Sequence, residues 1–404
     1  MANAIRIRMY RVGFGDCFLL TLQTAGGPRH ILIDFGVHPG GDAGMMPRVL
    51  ADIKQETGGQ LALLVVTHAH RDHVSGFASF TQDFAAFQIG ELWMPWTENP
   101  NDTAAVAAKN NQAAFYNSLQ RNLQKQPPAG ISRAEMRARE AAMAALANLA
   151  GTRAAMAELQ RGFGTGTTPL YRGAGESFDK VGGVEGLSID VLGPPKDRAL
   201  LKRMDPPASQ RYLAAGAAAD NGVDPFPKMG SAKASDADIE LTPEYLEQLR
   251  AGTETPDSEM ALAWDQMVNN TSLVLLFRFQ GRNLLFAGDA QWGNWARWVE
   301  TGDAKTILAS IDFLKIAHHG SHNGTPRSVV ENLDKSKIAV MISTQDKPFP
   351  SIPRGPLLSA LSGYARAIVR SDSVHIAGIK DGPEAGAPVP AGFTKGKFWI
   401  DYEL

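Results

Sequence analysis

The sequence has almost no cysteine, because Cys17 is the single one among 404 residues. One cysteine cannot form an intramolecular disulfide, and it cannot supply the several thiolates of a thiolate-rich zinc site. The chain is therefore not a disulfide-stabilised scaffold. Any metal that it binds is expected to be held by imidazole and carboxylate groups, which suit zinc, manganese or iron.

Excess charge and long apolar runs are lacking as well. Forty Lys and Arg residues face 42 Asp and Glu residues, which leaves a formal net charge of −2. A dedicated binder of duplex DNA usually carries a net basic domain, so this balance argues against that class. No segment reaches the roughly 18 uncharged apolar residues of a membrane span, and charges stand at the N-terminus where a signal peptide needs an apolar run. We expect a cytoplasmic protein without membrane contact.

Histidine is scarce and unevenly distributed. Three of the nine histidines fall within H-A-H-R-D-H (68–73), and the next one in the sequence is His318. Surface histidines scattered by chance would not be expected to cluster in this way. The chain also lacks the G-x-S-x-G motif of many serine hydrolases, so a nucleophilic serine is not indicated.

Apolar runs typical of buried strands are present, and polar residues follow them directly. In I-L-I-D-F-G the apolar run is followed by Asp34. The run L-A-L-L-V-V-T (61–67) leads into the histidine-rich segment. A helix is predicted over 46–57, ended by Gly58-Gly59. Strands alternating with helices, with chemistry-bearing residues at the strand ends, are typical of an α/β protein.

Two segments interrupt this pattern. The alanine-rich stretch 97–165 predicts a helical insertion, and the Gly/Pro/Asp-rich stretch 196–260 predicts an irregular one. The strand-rich halves 5–95 and 186–345 are expected to form one domain over 1–404. We predict a four-layer αβ/βα sandwich with the site at one edge of two facing sheets and the helical insertion beside it.

The first cluster of candidate ligands comprises His68, His70, Asp72 and His73. In an extended segment the first three would share one face while His73 points elsewhere. A tight loop could therefore present two sets of ligands to two adjacent metals. Asp289 ends L-L-F-A-G-D, where a carboxylate could bridge two cations.

A third group of candidates follows another apolar run, D-F-L-K-I-A, which leads to His318 and His319. A pair of histidines at a strand end can be structural, and so can a G-D turn. Their joint occurrence with the 68–73 cluster, each at the end of a strand, favours a metal site.

The motifs resemble those of the metallo-β-lactamase superfamily. H-x-H-x-D-H, then G-D, then H-H-G-S occur in the family's order. Within the family they most resemble the hydrolase domain of ComEC-type DNA-uptake competence proteins and their stand-alone relatives. Other matching segments are V-G-F-G-D-C (12–17), I-L-I-D-F-G, N-N-T-S-L-V-L-L and L-K-I-A-H-H-G-S. The resemblance covers about two thirds of the chain when both insertions are skipped.

The resemblance implies a dinuclear centre, with two zinc ions per chain, or manganese or iron in their place. His68 and His70 would bind the first metal, and Asp72 and His73 the second. Asp289 would bridge the two. A water activated by the metals would be the nucleophile, and Asp72 could also accept its proton as a catalytic residue.

The H-H-G-S segment is implied to complete the second site. We favour His318 as the ligand, because related branches carry a ligand histidine two residues before this glycine. His319 would then be a catalytic residue that contacts the substrate or the leaving group. Asp34 resembles an aspartate that lies behind the site and orients a ligand histidine.

One departure from the family's motifs affects how tightly the first metal site is expected to bind its ion. Most members supply a further histidine to the first metal from a G-H-T segment, and the matching region here is Asn269-Asn270-Thr271. Asparagine is a poor zinc ligand, although the ComEC-type branch itself carries asparagines here. The first site is therefore expected to bind its ion more weakly than the second.

The leading hypothesis is a metal-dependent phosphodiesterase or nuclease, acting on a small phosphodiester or a short nucleic acid because the charge is near neutral. The alternatives are an ester, lactone or amide (β-lactam-type) hydrolase, and a degenerate metal-binding module that acts through partners. Trp292, Trp295 and Trp298 recur every three residues, which favours a helix packing stripe over a base-stacking cleft.

Overall fold

The computed structural model describes residues 4–38, 43–107, 152–212, 267–300, 304–345, 352–373 and 389–404, together with isolated positions between 109 and 143. Within these residues the strands form two sheets. None of the helices described there is long and apolar enough to cross a bilayer.

The first sheet has the strand order β14-β15-β1-β2-β3-β4-β5-β6. Its strands are antiparallel from β14 to β3 and parallel from β3 to β6. Their bounds are β1 Ile5–Tyr10, β2 Phe18–Thr24, β3 Gly27–Ile33, β4 Gln60–Val65, β5 Gln88–Pro95, β6 Pro169–Arg172, β14 Phe393–Lys395 and β15 Trp399–Glu403.

The second sheet has the order β13-β12-β11-β10-β9-β8-β7. It is parallel from β13 to β10 and antiparallel from β10 to β7. Its strands are β7 Glu176–Asp179, β8 Ser188–Gly193, β9 Val274–Phe279, β10 Arg282–Phe286, β11 Phe313–Lys315, β12 Ala339–Ile342 and β13 Ala367–Arg370.

Apolar side chains of both sheets share one core. Ile7 and Met9 of the first sheet lie in the same buried cluster as Phe277 and Phe286 of the second. Because successive side chains of a strand point to opposite faces, the other face of each sheet is left to pack against helices.

Helices cover both outer faces. Those on the first sheet are α1 Met46–Thr57, α2 Arg71–Ser79, α3 Thr81–Phe84 and α4 Arg153–Gln160. Those on the second are α5 Arg198–Leu201, α6 Trp292–Val299, α7 Ala304–Ser310, α8 Arg327–Glu331 and α9 Gly355–Tyr364. The four layers confirm the predicted αβ/βα sandwich.

Local expectations are met in part. The helix predicted over 46–57 has those bounds and ends at Gly58, whose φ of +59° is the left-handed conformation that glycine adopts readily. Strand β1 alternates apolar with polar residues, yet it lies between β2 and β15 and both of its faces are covered. Arg8, one of these polar residues, is buried and donates to Asp401 and Asp52.

The two predicted insertions are described only in part. Within 97–165, residues 103–107 are helical, and α4 packs beside α2 in the outer layer of the first sheet. Most of the positions between them lie outside the described residues. Within 196–260, α5 and a short turn at 208–210 are described, and residues 213–260 lie outside the described part.

The tryptophan stripe belongs to the core. Trp292, Trp295 and Trp298 all lie on α6, are at most 3% exposed, and pack against the outer face of the second sheet. The spacing of three residues therefore marks a packing stripe, and these three rings do not form a base-stacking surface.

Candidate metal centre

The candidate ligands meet because strands of both sheets end at one edge of the sandwich. Asp34 follows β3, and the 68–73 segment follows β4. Asp289 follows β10, and the 318–319 pair follows β11. Since β3 is parallel to β4 and β10 is parallel to β11, each pair of strands delivers its residues at the same end.

The H-x-H-x-D-H segment is not a simple loop. Helix α2 begins at Arg71 with His70 in an extended conformation before it, so Asp72 and His73 lie on the first helical turn. The expectation that His68, His70 and Asp72 share one face of an extended segment was wrong. Instead, His68 and His70 precede the helix, whereas Asp72 and His73 lie on it.

Asp34 fixes the orientation of His73. Its carboxylate accepts hydrogen bonds from the backbone nitrogen and the hydroxyl of Thr67, at 2.8 and 2.6 Å. Its Oδ2 also lies 2.8 Å from Nδ1 of His73. Because Nδ1 is held from behind, Nε2 of His73 faces the centre of the site.

Four buried side chains converge there. Asp72, His73, Asp289 and His319 can each offer one ligand atom, and these atoms lie within 4.8 Å of one another. Oδ2 of Asp289 is 3.1 Å from Nε2 of His73 and 3.2 Å from Nε2 of His319. The latter nitrogen is also 3.2 Å from Oδ2 of Asp72. We call these four residues the quartet.

His68 and His70 lie beside the quartet. Nε2 of His68 is 3.0 Å from Nδ1 of His70, and the rings of His68 and His73 are 4.2 Å apart between centroids. Thr67 holds Nδ1 of His68 at 3.1 Å. Nε2 of His68 and Nδ1 of His70 therefore lie next to each other beside the quartet.

The adjacent histidines 318 and 319 point in different directions. Both have a left-handed backbone, with φ of 49° and 52°, which is uncommon for residues other than glycine and typical of functional sites. His319 joins the quartet, and its Nδ1 is held 2.8 Å from the carbonyl of Ser343. His318 is outside the quartet, with its Nε2 3.3 Å from the amide nitrogen of Asn269. This geometry differs from the expectation that His318 is the ligand of the second metal.

A buried lysine lies behind Asp289. Nζ of Lys315 donates to the carbonyl of Gly288 at 2.8 Å and lies 3.3 Å from Oδ1 of Asp289. It also forms an ion pair with Asp16, which is equally buried. Sequence reasoning missed both residues, although a charged residue within the apolar run D-F-L-K-I-A was a visible signal.

Asn270 serves the structure rather than the candidate site. Its amide nitrogen donates to the carbonyls of Leu201 and Arg203, both at 3.0 Å. Its side-chain oxygen accepts from the backbone nitrogen of Gln291 at 3.1 Å. These bonds tie the start of β9 to α5 and α6, so Asn270 does not take the place of the histidine that the motif resemblance leads one to expect in this region.

The chain was also compared with known proteins. Residues 10–92 match the family model of the metallo-beta-lactamase superfamily. No match was found among the curated proteins. The matched residues contain β2, β3 and β4, the whole H-x-H-x-D-H segment and most of β5, whereas Asp289 and the H-H-G-S segment lie beyond them. The match and the buried quartet fit a metal-dependent hydrolase.

The atoms of the quartet fit a divalent cation. Oδ1 of Asp72 is buried and forms no hydrogen bond within the described part of the chain. Buried polar atoms without such a partner are costly, which points to a ligand or ion that the protein binds. Imidazole nitrogen and carboxylate oxygen are donors that zinc and related divalent metals accept.

Charge is strongly coupled within the quartet. Burial lowers the pKa of His319, but Asp289 and Asp72 outweigh burial and raise that pKa to about 10. Burial also opposes the charged form of His73, yet Asp289 and Asp72 hold its pKa well above the usual value. In contrast, burial lowers the pKa of His318 to about 4. Without a metal, the quartet therefore keeps protons on His73 and His319, while His318 is neutral.

Proposed function

We propose that the quartet binds one divalent cation, that His68 and His70 bind a second with Asp289, and that the chain is a metal-dependent hydrolase. The observation that carries this proposal is the convergence of four buried ligand-type side chains from both sheets. We assign His319 to the quartet's ion in place of His318, because its Nε2 lies within 3.2 Å of both carboxylates. Zinc is the proposed metal, and manganese and iron accept the same donors.

The residues around the ions have separate tasks. Bound divalent cations supply Lewis acidity and lower the pKa of coordinated water. Asp34 keeps Nε2 of His73 directed inward. Lys315 engages Oδ1 of Asp289, which leaves Oδ2 as the atom of that carboxylate nearest His73 and His319. Asp72 would contribute one carboxylate oxygen to the quartet's ion, and its other oxygen would be available to accept a proton from water.

The proposed substrate class is a phosphodiester of small size. Three considerations support it: the motif resemblance to the ComEC-type branch, the suitability of two cations for in-line displacement at phosphorus, and the net charge of −2. The burial of the α6 tryptophans removes one candidate surface for stacking bases. A short or small diester is therefore favoured over long nucleic acid.

One observation favours an ester, lactone or amide as the alternative substrate. The ring of Phe14 lies 4.3 Å from the ring of His319 between centroids, and Phe14 packs against Ile352. An apolar wall beside the quartet suits the acyl group of such a substrate better than a charged phosphate.

A comparison of three chromogenic substrates tests the proposal. Metal-free protein is reloaded with zinc or manganese and assayed with bis-p-nitrophenyl phosphate, p-nitrophenyl acetate and a β-lactam. We expect the diester to be hydrolysed with the highest kcat/KM, in proportion to bound metal. Faster turnover of the acetate or the lactam would favour the alternative. Metal binding without turnover of any substrate would favour a non-catalytic module.

A further inference from the structure

The side chain of His318 has a defined tautomer. Nδ1 lies 2.7 Å from the hydroxyl of Ser321 and 3.1 Å from Oδ1 of Asn323. The Ser321 hydroxyl donates to that same Oδ1 at 2.9 Å, so it accepts from His318. Nδ1 therefore carries the proton and Nε2 carries the lone pair, which is the form of imidazole that binds metals.

This arrangement repeats that of the other candidate ligands which present Nε2. Nδ1 of His73 is held by Asp34, Nδ1 of His319 by the carbonyl of Ser343, and Nδ1 of His68 by Thr67. An oxygen partner on the far nitrogen is characteristic of histidines that bind metals, because it fixes both the tautomer and the ring orientation. His318 has the same support, although it lies outside the quartet.

His318 lies beside the segment that would carry the missing donor of the first metal site. His68 and His70 supply only two nitrogens, and the Asn269–Thr271 region lacks the third histidine that the sequence resemblance leads one to expect. Nε2 of His318 lies 3.3 Å from the side-chain nitrogen of Asn269, the first residue of that region. The backbone nitrogen of His318 donates to the carbonyl of Gly288 at 3.2 Å, and Gly288 directly precedes Asp289 in the chain.

The backbone at His318 and His319 adopts an uncommon conformation. Left-handed φ values at two consecutive residues cost about 1–3 kcal/mol each, and they separate the rings by 6.4 Å between centroids. The two imidazoles therefore point in different directions, so the segment can offer one ligand to each of two ions.

We propose that Nε2 of His318 completes the ion site of His68 and His70, in place of the missing histidine. The H-H-G-S segment then supplies one ligand to each of two ions, His318 to the first and His319 to the second. This inference rests on the proposed function and identifies the third nitrogen donor of its first site.

Zinc binding by variants tests the assignment without any assay of activity. Wild type, His318→Ala, His68→Ala and the double variant are saturated with zinc, dialysed against a weak chelator and analysed for bound metal. We expect two ions in the wild type and one in each single variant. The double variant should also hold one, because residues that serve the same ion are not additive. His322→Ala, which removes a nearby histidine paired with Asp205, should keep two.

A second set of variants covers the case in which His318→Ala does not fold. Ser321→Ala and Asn323→Ala retain the imidazole and remove only its support on Nδ1. Each should weaken binding of the first ion by about 10- to 100-fold and leave the second unchanged. Cobalt(II) absorption spectra measure the two sites separately, because loss of a nitrogen donor changes the spectrum of the ion concerned.

Two results would overturn the inference. If His318→Ala keeps two ions with unchanged affinity, or if the double variant loses both, His318 does not share an ion with His68. Either result leaves the hydrolase proposal standing. A wild type that binds no zinc at saturation would instead defeat the proposed function and this inference together.

Discussion

Nε2 of His73 lies 3.1 Å from Oδ2 of Asp289, although the two residues follow strands of different sheets. His73 lies on the first turn of α2, beyond β4, and Asp289 follows β10. The contact joins the two halves of the sandwich at one edge. The geometry of the site therefore depends on how the two sheets pack together, in addition to the local structure of each segment.

Asp289 is predicted to be the most important single ligand. Asp289→Ala should abolish phosphodiester hydrolysis and lower the content of both ions, because it removes the carboxylate nearest to His73 and His319. Metal analysis and a diester assay on one sample provide the measurement. Asp190→Ala is a matched control, since it removes a carboxylate paired with Arg278 away from the site. Equal losses in both variants would contradict the prediction.

Asp34 is predicted to act through His73. Asp34→Asn keeps the size of the side chain but weakens the acceptor that holds Nδ1. We expect the affinity for the quartet's ion to fall by about 10- to 100-fold while the fold is kept. Competition with a fluorescent chelator measures this affinity. An unchanged affinity would show that Asp34 serves only the turn at Thr67.

Lys315 is predicted to stabilise the metal-free protein. Lys315→Met leaves the buried carboxylates of Asp16 and Asp289 without their common cation, and breaking such a buried pair costs about 3–5 kcal/mol. Denaturant unfolding measures the loss. Adding Asp16→Asn to the variant should restore part of the stability, since one of the uncompensated charges is removed. Additive losses would argue against this pairing.

Metal binding is predicted to release protons. His73 and His319 keep their protons near neutral pH because neighbouring carboxylates raise their pKa values, that of His319 to about 10. A metal needs the lone pair on Nε2, so each protonated imidazole must lose its proton. Apparent affinity should therefore rise with pH from neutral pH up to about 10, the pKa of His319. Calorimetry in buffers of different ionisation enthalpy counts the protons, and His319→Ala should release one fewer.

Much of this arrangement could be predicted from the sequence, because strand ends are visible as apolar runs followed by polar residues. The positions of His68, Asp72 and Asp289 at one edge follow from this pattern and from parallel pairing within each sheet. The layer order follows from apolar faces that need to be covered on both sides.

Other features depended on geometry that the sequence does not encode locally. The directions of His318 and His319 depend on their left-handed φ values, which no sequence spacing reveals. Lys315 is buried because two carboxylates from distant segments, Asp16 and Asp289, surround it. Helix α2 begins within the histidine motif, where His70 makes no side-chain capping hydrogen bond that would mark the boundary in the sequence.

Anomalous diffraction at the zinc edge from crystals of the metal-loaded protein tests the central claim most directly. The account predicts a strong peak about 2.0–2.2 Å from donor atoms of Asp72, His73, Asp289 and His319. A second peak is expected beside His68 and His70. If the crystals contain bound zinc but show no peak within bonding distance of the quartet, the quartet is not a metal site and the account is wrong.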